Sequence, residues 1–158
     1  MKKADKKLKV CFAASSGGHF EQLMMLNPLM DKYDSFILTE KTDYEVNTKN
    51  YTTYFLKQIN RKEKLWILNM LQIILKSFFV FLTERPEVVV CTGVLAMIPM
   101  CLICKLFRKK VIYIESFAKS ESPTETGKLL YKFADNFYVQ WKKMLDIFPK
   151  ASYLGGIY

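Results

Sequence analysis

The chain has 158 residues, of which 51% are hydrophobic and 15% aromatic, and a formal net charge of +9. That length suits one domain with an ordinary buried core and excludes two complete nucleotide-binding domains. The charge is carried mainly by dispersed lysines rather than an arginine-rich block, which suits anionic lipid or phosphate better than base reading.

Met1–Lys9 is charged, and the apolar run behind it is short and broken at Ser15. We expect no secretory signal, and a location in the cytosol or on the cytosolic face of a membrane. The cysteines at 11, 91, 101 and 104 are then expected as reduced thiols.

Lys9–Ala14 predicts a first strand, leading into Ser15-Ser16-Gly17-Gly18-His19 and then a helical pattern over Phe20–Lys32. A strand, a glycine turn and a helix start let the backbone approach an anion closely. His19 is the only histidine. Imidazole suits proton transfer near neutral pH, so a general base, a donor to phosphate and a turn cap are all open. The two glycines have an equally open structural use in a tight turn.

Strands are predicted at Ser35–Thr39 and Thr52–Leu56, with a polar loop at Lys41–Asn50 between them. A long helix follows over Lys62–Thr83. Its polar residues Asn69, Gln72 and Lys76 fall on one stripe with Lys62 and Thr83, and apolar side chains fill the remaining circumference. A helix on a sheet needs only one apolar stripe. The excess fits either burial under a partner or shallow insertion in a bilayer. Lys76 in mid-run, and the helix's place between strands of one sheet, argue against crossing. The favoured reading is membrane contact through Lys62, Lys64, Trp66, Leu71, Ile74, Phe78 and Phe79, with Arg61, Lys62 and Lys64 meeting lipid phosphates.

Further strands are predicted at Glu87–Cys91, Lys110–Glu115 and Asn136–Val139, and helices at Leu95–Phe107, Thr126–Ala134 and Trp141–Phe148. Cys101 and Cys104 form a CxxC inside an apolar stretch with no second ligand pair, as buried helix thiols do. The runs Val88-Val89-Val90 and Val111-Ile112-Tyr113-Ile114 fit strands buried on both faces. The alternation predicts an α/β fold: a doubly wound, Rossmann-like parallel sheet. In the common order the first and fourth strands are neighbours, and ligands bind beyond their carboxyl ends. Ser16-Gly17-Gly18-His19, Cys91-Thr92-Gly93 and Glu115-Ser116 are therefore expected to line one crevice. Glu115 could bind sugar hydroxyls or cap its own loop, and Thr92-Gly93 could be a ligand site or a turn.

Taken in order, Val10-Cys11-Phe12-Ala13-Ala14-Ser15-Ser16-Gly17-Gly18-His19, Cys91-Thr92-Gly93, Ile114-Glu115-Ser116-Phe117-Ala118 and Thr126-Gly127-Lys128-Leu129-Leu130-Tyr131 carry a resemblance. They resemble the accessory subunit of two-component bacterial glycosyltransferases that build capsular and exopolysaccharide repeat units. That family is similar to the membrane-recruiting subunit of the dolichol-linked N-acetylglucosaminyltransferase. It is similar also to the amino-terminal domain of the enzyme that adds N-acetylglucosamine to the peptidoglycan lipid intermediate.

The resemblance implies the amino-terminal half of a GT-B glycosyltransferase, a single domain over 1–158. That half receives a lipid-linked sugar acceptor at the inner-membrane surface and pairs with a separate donor-binding subunit. The implied reaction adds a hexose, galactose for example, to a sugar on undecaprenyl diphosphate. By matched position, Ser15, Ser16, Gly17, Gly18, Thr92, Gly93 and Ser116 would bind the acceptor and its phosphates, with His19 and Glu115 as catalytic candidates. No cofactor and no metal are expected, because no paired carboxylates follow a strand; Asp43 and Asp135 are isolated.

Against these relatives the glycine loop is shorter than that of the single-chain enzyme, and no anchor is expected in Met1–Lys9. Membrane attachment is then expected to rest on Leu65–Leu82, and Leu154–Tyr158 lies where a fused enzyme would continue into its donor domain. Two other classes share less of the pattern. A flavodoxin-like nucleotide or flavin oxidoreductase has the loop in common but would need GxGxxG, which is missing, and Glu40 is its nearest ribose-binding acid. A nucleic-acid module has only the charge in its favour, so no nucleic-acid partner is expected.

Overall fold

The computed structural model describes residues 7–44, 46–59 and 66–158. Its strands are β1 (Lys9–Ala13), β2 (Asp34–Glu40), β3 (Thr52–Leu56), β4 (Val88–Cys91), β5 (Lys110–Ile114), β6 (Asn136–Val139) and β7 (Ser152–Tyr153). They form one parallel sheet in the order β3-β2-β1-β4-β5-β6-β7. The chain leaves β1 toward β2 and β3, then returns to lay β4 on the other side of β1. This reversal puts the carboxyl ends of β1 and β4 side by side, with Ala13 level with Cys91.

Alternation along the strands sorts the core into two layers. Cys11, Ala13, Phe36, Leu38, Val89, Cys91, Val111 and Tyr113 face α3 (Trp66–Glu84) and α4 (Ile98–Leu106). Val10, Phe12, Ala14, Val90 and Ile114 face α1 (Gly18–Met24) and α2 (Asn27–Met30). The doubly wound α/β expectation therefore holds. All four cysteines are free and buried. A bond to Cys91 and burial hold the Cys101 thiol well above its ordinary range, and burial pushes Cys104 up to about 12. The CxxC is packed, protonated core.

Several boundaries differ from expectation. The helix expected over Phe20–Lys32 is two pieces, because Pro28 opens α2 and has no N–H with which to continue α1. The helix expected over Trp141–Phe148 is a 3-10 stretch, Lys142–Asp146. β7 is two exposed residues with no apolar run to announce it. The start of the long helix, with Arg61, Lys62 and Lys64, lies outside the described residues.

The described part, α3, corrects the expected polar stripe. Asn69 and Ser77 belong to its buried face, together with Ile73, Val80 and Phe81. Lys57 Nζ donates to Asn69 Oδ1 at 2.8 Å. Near the other end, Glu84 is held by Lys9 Nζ at 2.7 Å and by the Tyr54 hydroxyl at 2.6 Å. Polar anchors thus tie α3 along the sheet. By length and composition it could cross a membrane, but those anchors fix its inner side to the protein. Trp66, Leu71, Ile74, Leu75, Phe78 and Phe79 lie exposed on its outer side.

Candidate functional site at the carboxyl edge

The crevice begins where β1 and β4 end. Thr92 N donates to Ala13 O at 3.1 Å, and Ser15 N to Gly93 O at 2.9 Å. Thr92 Oγ1 donates to His19 O at 3.0 Å, while His19 Nδ1 lies 2.7 Å from Thr92 O. A carbonyl can only accept, so Nδ1 carries hydrogen; in the neutral ring Nε2 then keeps its lone pair. Among the described residues no hydrogen bond is made to Nε2.

Two glycines make this arrangement possible. Gly17 has φ +71° and Gly93 φ +114°, backbone conformations that side chains disfavour. At Gly93 the constraint is double, because a Cβ would stand 3.1 Å from His19 Cε1 and Nδ1. The imidazole therefore rests on bare backbone. Gly17 and Gly18 are exposed, and a Cβ on either would meet nothing within 4 Å.

The other expected residues divide by exposure. Ser15, Thr92, Gly93 and Ser116 are buried, and Ser16 is half-buried. Glu115 is 1% exposed and turns toward α5 (Glu125–Leu130). It accepts from Ser116 N at 2.8 Å, Thr124 Oγ1 at 2.8 Å, Thr124 N at 3.3 Å and the Tyr113 hydroxyl at 3.4 Å. Burial raises its pKa, and the bonds to Ser116 and Thr124 oppose that rise. Thr124 in turn caps α5 by accepting from Gly127 N at 2.8 Å. The structure thus brings His19 against Thr92 and Gly93, and engages the Glu115 carboxylate with the cap of α5.

Two features escape the sequence-based choice of site residues. Glu40 ends β2 with 4% exposure and accepts from Ser16 N at 3.4 Å, so it sits behind the glycine loop. Beside it opens a cleft of about 970 Å³ lined by Lys41, Lys57 and Lys76 together with Tyr44, Phe55 and Leu56. The acid at a strand end was the available signal for the first. The second joins residues from a loop, a strand end and a helix, and no local pattern links them.

Residues 34–157 match the family described as oligosaccharide biosynthesis protein Alg14 like. The chain belongs to that family. It is 27% identical to the UDP-N-acetylglucosamine transferase subunit ALG14 of Homo sapiens, over 95% of this chain and 83% of that protein. The Schizosaccharomyces pombe subunit of the same name is 36% identical over 44% of this chain and 36% of its own length. Among solved structures, Acinetobacter baumannii MurG superposes with a TM-score of 0.69 at 15% identity, covering 86% of this chain and 42% of MurG. A Neisseria meningitidis UDP-GlcNAc 2-epimerase bound to UDP-GlcNAc gives 0.70 at 13%, covering 95% and 47%. The chain therefore spans a little under half of these structures, and they share its fold.

Membership of the Alg14-like family sets aside the oxidoreductase alternative. The accessory-subunit resemblance stands at the level of this family, which the eukaryotic subunits represent.

Proposed function

We propose that this Alg14-like chain is the acceptor-binding, membrane-docked subunit of a two-chain glycosyltransferase. The observation that supports this most is the open carboxyl edge, with Gly17 and Gly18 exposed and His19 held by Thr92, in a chain whose relatives are named transferase subunits. In this reading a donor-binding chain closes over that edge and brings the nucleotide sugar. Ser16, Gly17 and Gly18 lie against the acceptor diphosphate, while Ser15, Thr92, Gly93 and Ser116 shape the loops around it. His19 Nε2 takes the proton of the attacking acceptor hydroxyl as its oxygen bonds the donor's anomeric carbon, while that carbon's bond to the phosphate oxygen breaks and the nucleoside diphosphate leaves on the donor-binding chain. Glu115 acts by position, through Thr124 and α5.

The same reading places α3 on the cytoplasmic face of the cell membrane. Trp66, Leu71, Ile74, Phe78 and Phe79 enter the interface, with Lys62 and Lys64 near lipid phosphates. The acceptor is a sugar on undecaprenyl diphosphate, and the transferred sugar a hexose such as galactose, in a capsular or exopolysaccharide repeat unit.

The test is reconstitution with a donor-binding glycosyltransferase subunit from the same organism, a UDP-sugar and a synthetic undecaprenyl-diphosphate-linked acceptor. Transfer is expected only with both chains, which should co-purify from membranes. Efficient transfer by this chain alone overturns the reading. His19→Ala is expected to slow the pair by about 10²–10⁴-fold, the range for a lost general base, with the circular dichroism spectrum retained. Unchanged turnover would confine the imidazole to bracing Thr92.

A further inference from the structure

A second cavity, about 320 Å³, runs between α3, α4 and α5 and is lined by apolar side chains alone. Met70 and Ile74 come from α3, Ile98 and Leu102 from α4, Leu129 from α5 and Leu95 from the short turn before α4. We infer that this groove holds the isoprenoid chain of the acceptor, the units nearest its diphosphate. The inference rests on the lipid-linked acceptor proposed above and says where its hydrocarbon lies.

Three observations converge on that occupant. First, Ile74, Leu102 and Leu129 are exposed although they line an apolar groove. The volume sits at the lower end of the roughly 300–1,000 Å³ of small-ligand sites. An extended peptide would need partners for its N–H and C=O groups, and this lining offers no polar side chain to meet them. A hydrocarbon chain needs none.

Second, the groove is framed by the same turns that frame the crevice. Leu95 stands two residues beyond Gly93, the glycine on which His19 rests. Leu129 lies on α5, whose cap Thr124 is gripped by Glu115 at the tip of β5. The Glu115–Thr124 contact thereby gains a purpose: it holds α5, and with it Leu129, against the groove. Third, Ile74 belongs both to the groove and to the outer face of α3. An amphiphile with its anionic head at Gly17–Gly18 can thus pass its tail along apolar surface toward the bilayer.

The test is photolabelling of the full chain by a farnesyl diphosphate analogue bearing a benzophenone on its chain. It is run with phosphatidylethanolamine–phosphatidylglycerol vesicles present and read by peptide mass spectrometry. Labels are expected at Met70, Leu102 or Leu129, competed by plain farnesyl diphosphate and not by added phosphatidylglycerol. Leu102→Trp, which fills the groove, should cut labelling about ten-fold while flotation with vesicles stays unchanged. Leu129→Lys serves should the first variant fail to fold.

Labels spread over Leu75 and Phe79, or indifferent to both variants, overturn the groove. Equal competition by phosphatidylglycerol, or labelling abolished by self-association at high protein concentration, overturns it too. Groove labelling by a wild-type chain that does not float with vesicles supports the groove and instead sinks the membrane docking proposed above.

Discussion

Glu40 shows how one side chain can couple the glycine loop to pH. Burial disfavours its ionised form, and this outweighs bonds from Ser16 and Ile59 and the nearby His19, so its pKa is raised from the ordinary 4.5. The folded chain then holds this proton more tightly than the unfolded chain. As pH rises from 4.5 through the raised folded value, the unfolded state releases the proton first, and stability falls. Glu115 acts in the same direction, again with burial as the leading cause. Glu40→Gln removes one such proton and keeps an oxygen for Ser16 N. Its melting temperature, followed by circular dichroism from pH 4.5 upward, is expected to fall less steeply than that of the wild type. An equal slope would mean that the bonds to the carboxylate cancel the effect of burial, and a steeper fall that they outweigh it. The sequence showed this residue as an acid at a strand end but not what it touches. Only the β1–β2 pairing puts it behind Ser16. His19 was legible, because a glycine turn after an apolar strand presents the next side chain at the sheet's edge.

At the scale of elements, α5 turns an ordinary propensity argument upside down. Alanine for glycine inside a helix stabilises by about 1 kcal/mol when nothing else changes. At Gly127, however, a Cβ would collide with the Glu115 carboxylate, and Thr124 Oγ1 stands at 2.9 Å. Glu115 has little room to retreat, since Ser116, Thr124 and Tyr113 all bond to it. Overpacking of this kind costs about 1–3 kcal/mol, so the collision wins. Gly127→Ala is expected to melt several degrees below wild type; a higher melting temperature would show that the clamp yields. Strands were the most legible elements, since Val88–Cys91 and Lys110–Ile114 must be apolar on both faces of a parallel sheet. The orientation of α3 was not legible. Periodicity showed that it is apolar nearly all round, but which stripe meets the sheet depends on Lys57 and Tyr54, far away in sequence. Those contacts bury Asn69 and leave Phe79 66% exposed.

Across the whole molecule, charge and exposed apolar surface act together, and salt separates them. The net charge of +9 draws the chain to an anionic surface, each lysine near the lipid adding about 1 kcal/mol within a Debye length. That attraction fades as the Debye length shrinks from about 10 Å at 0.1 M salt to about 3 Å at 1 M. Burial of α3's outer side chains gains about 25 cal/mol per Å² and involves no charge. Sedimentation with phosphatidylglycerol-rich vesicles should therefore weaken strongly, but not vanish, between 0.1 and 1 M NaCl, taken as about those ionic strengths. Binding to neutral phosphatidylcholine vesicles should be weaker at the outset and nearly independent of salt. Leu75→Glu with Phe79→Glu should abolish the residual high-salt binding at little cost in melting temperature, because both side chains are mostly exposed, at 61% and 66%. If high salt released the wild-type chain completely, adhesion would be electrostatic alone. The apolar face of α3 would then have to be covered by protein rather than lipid.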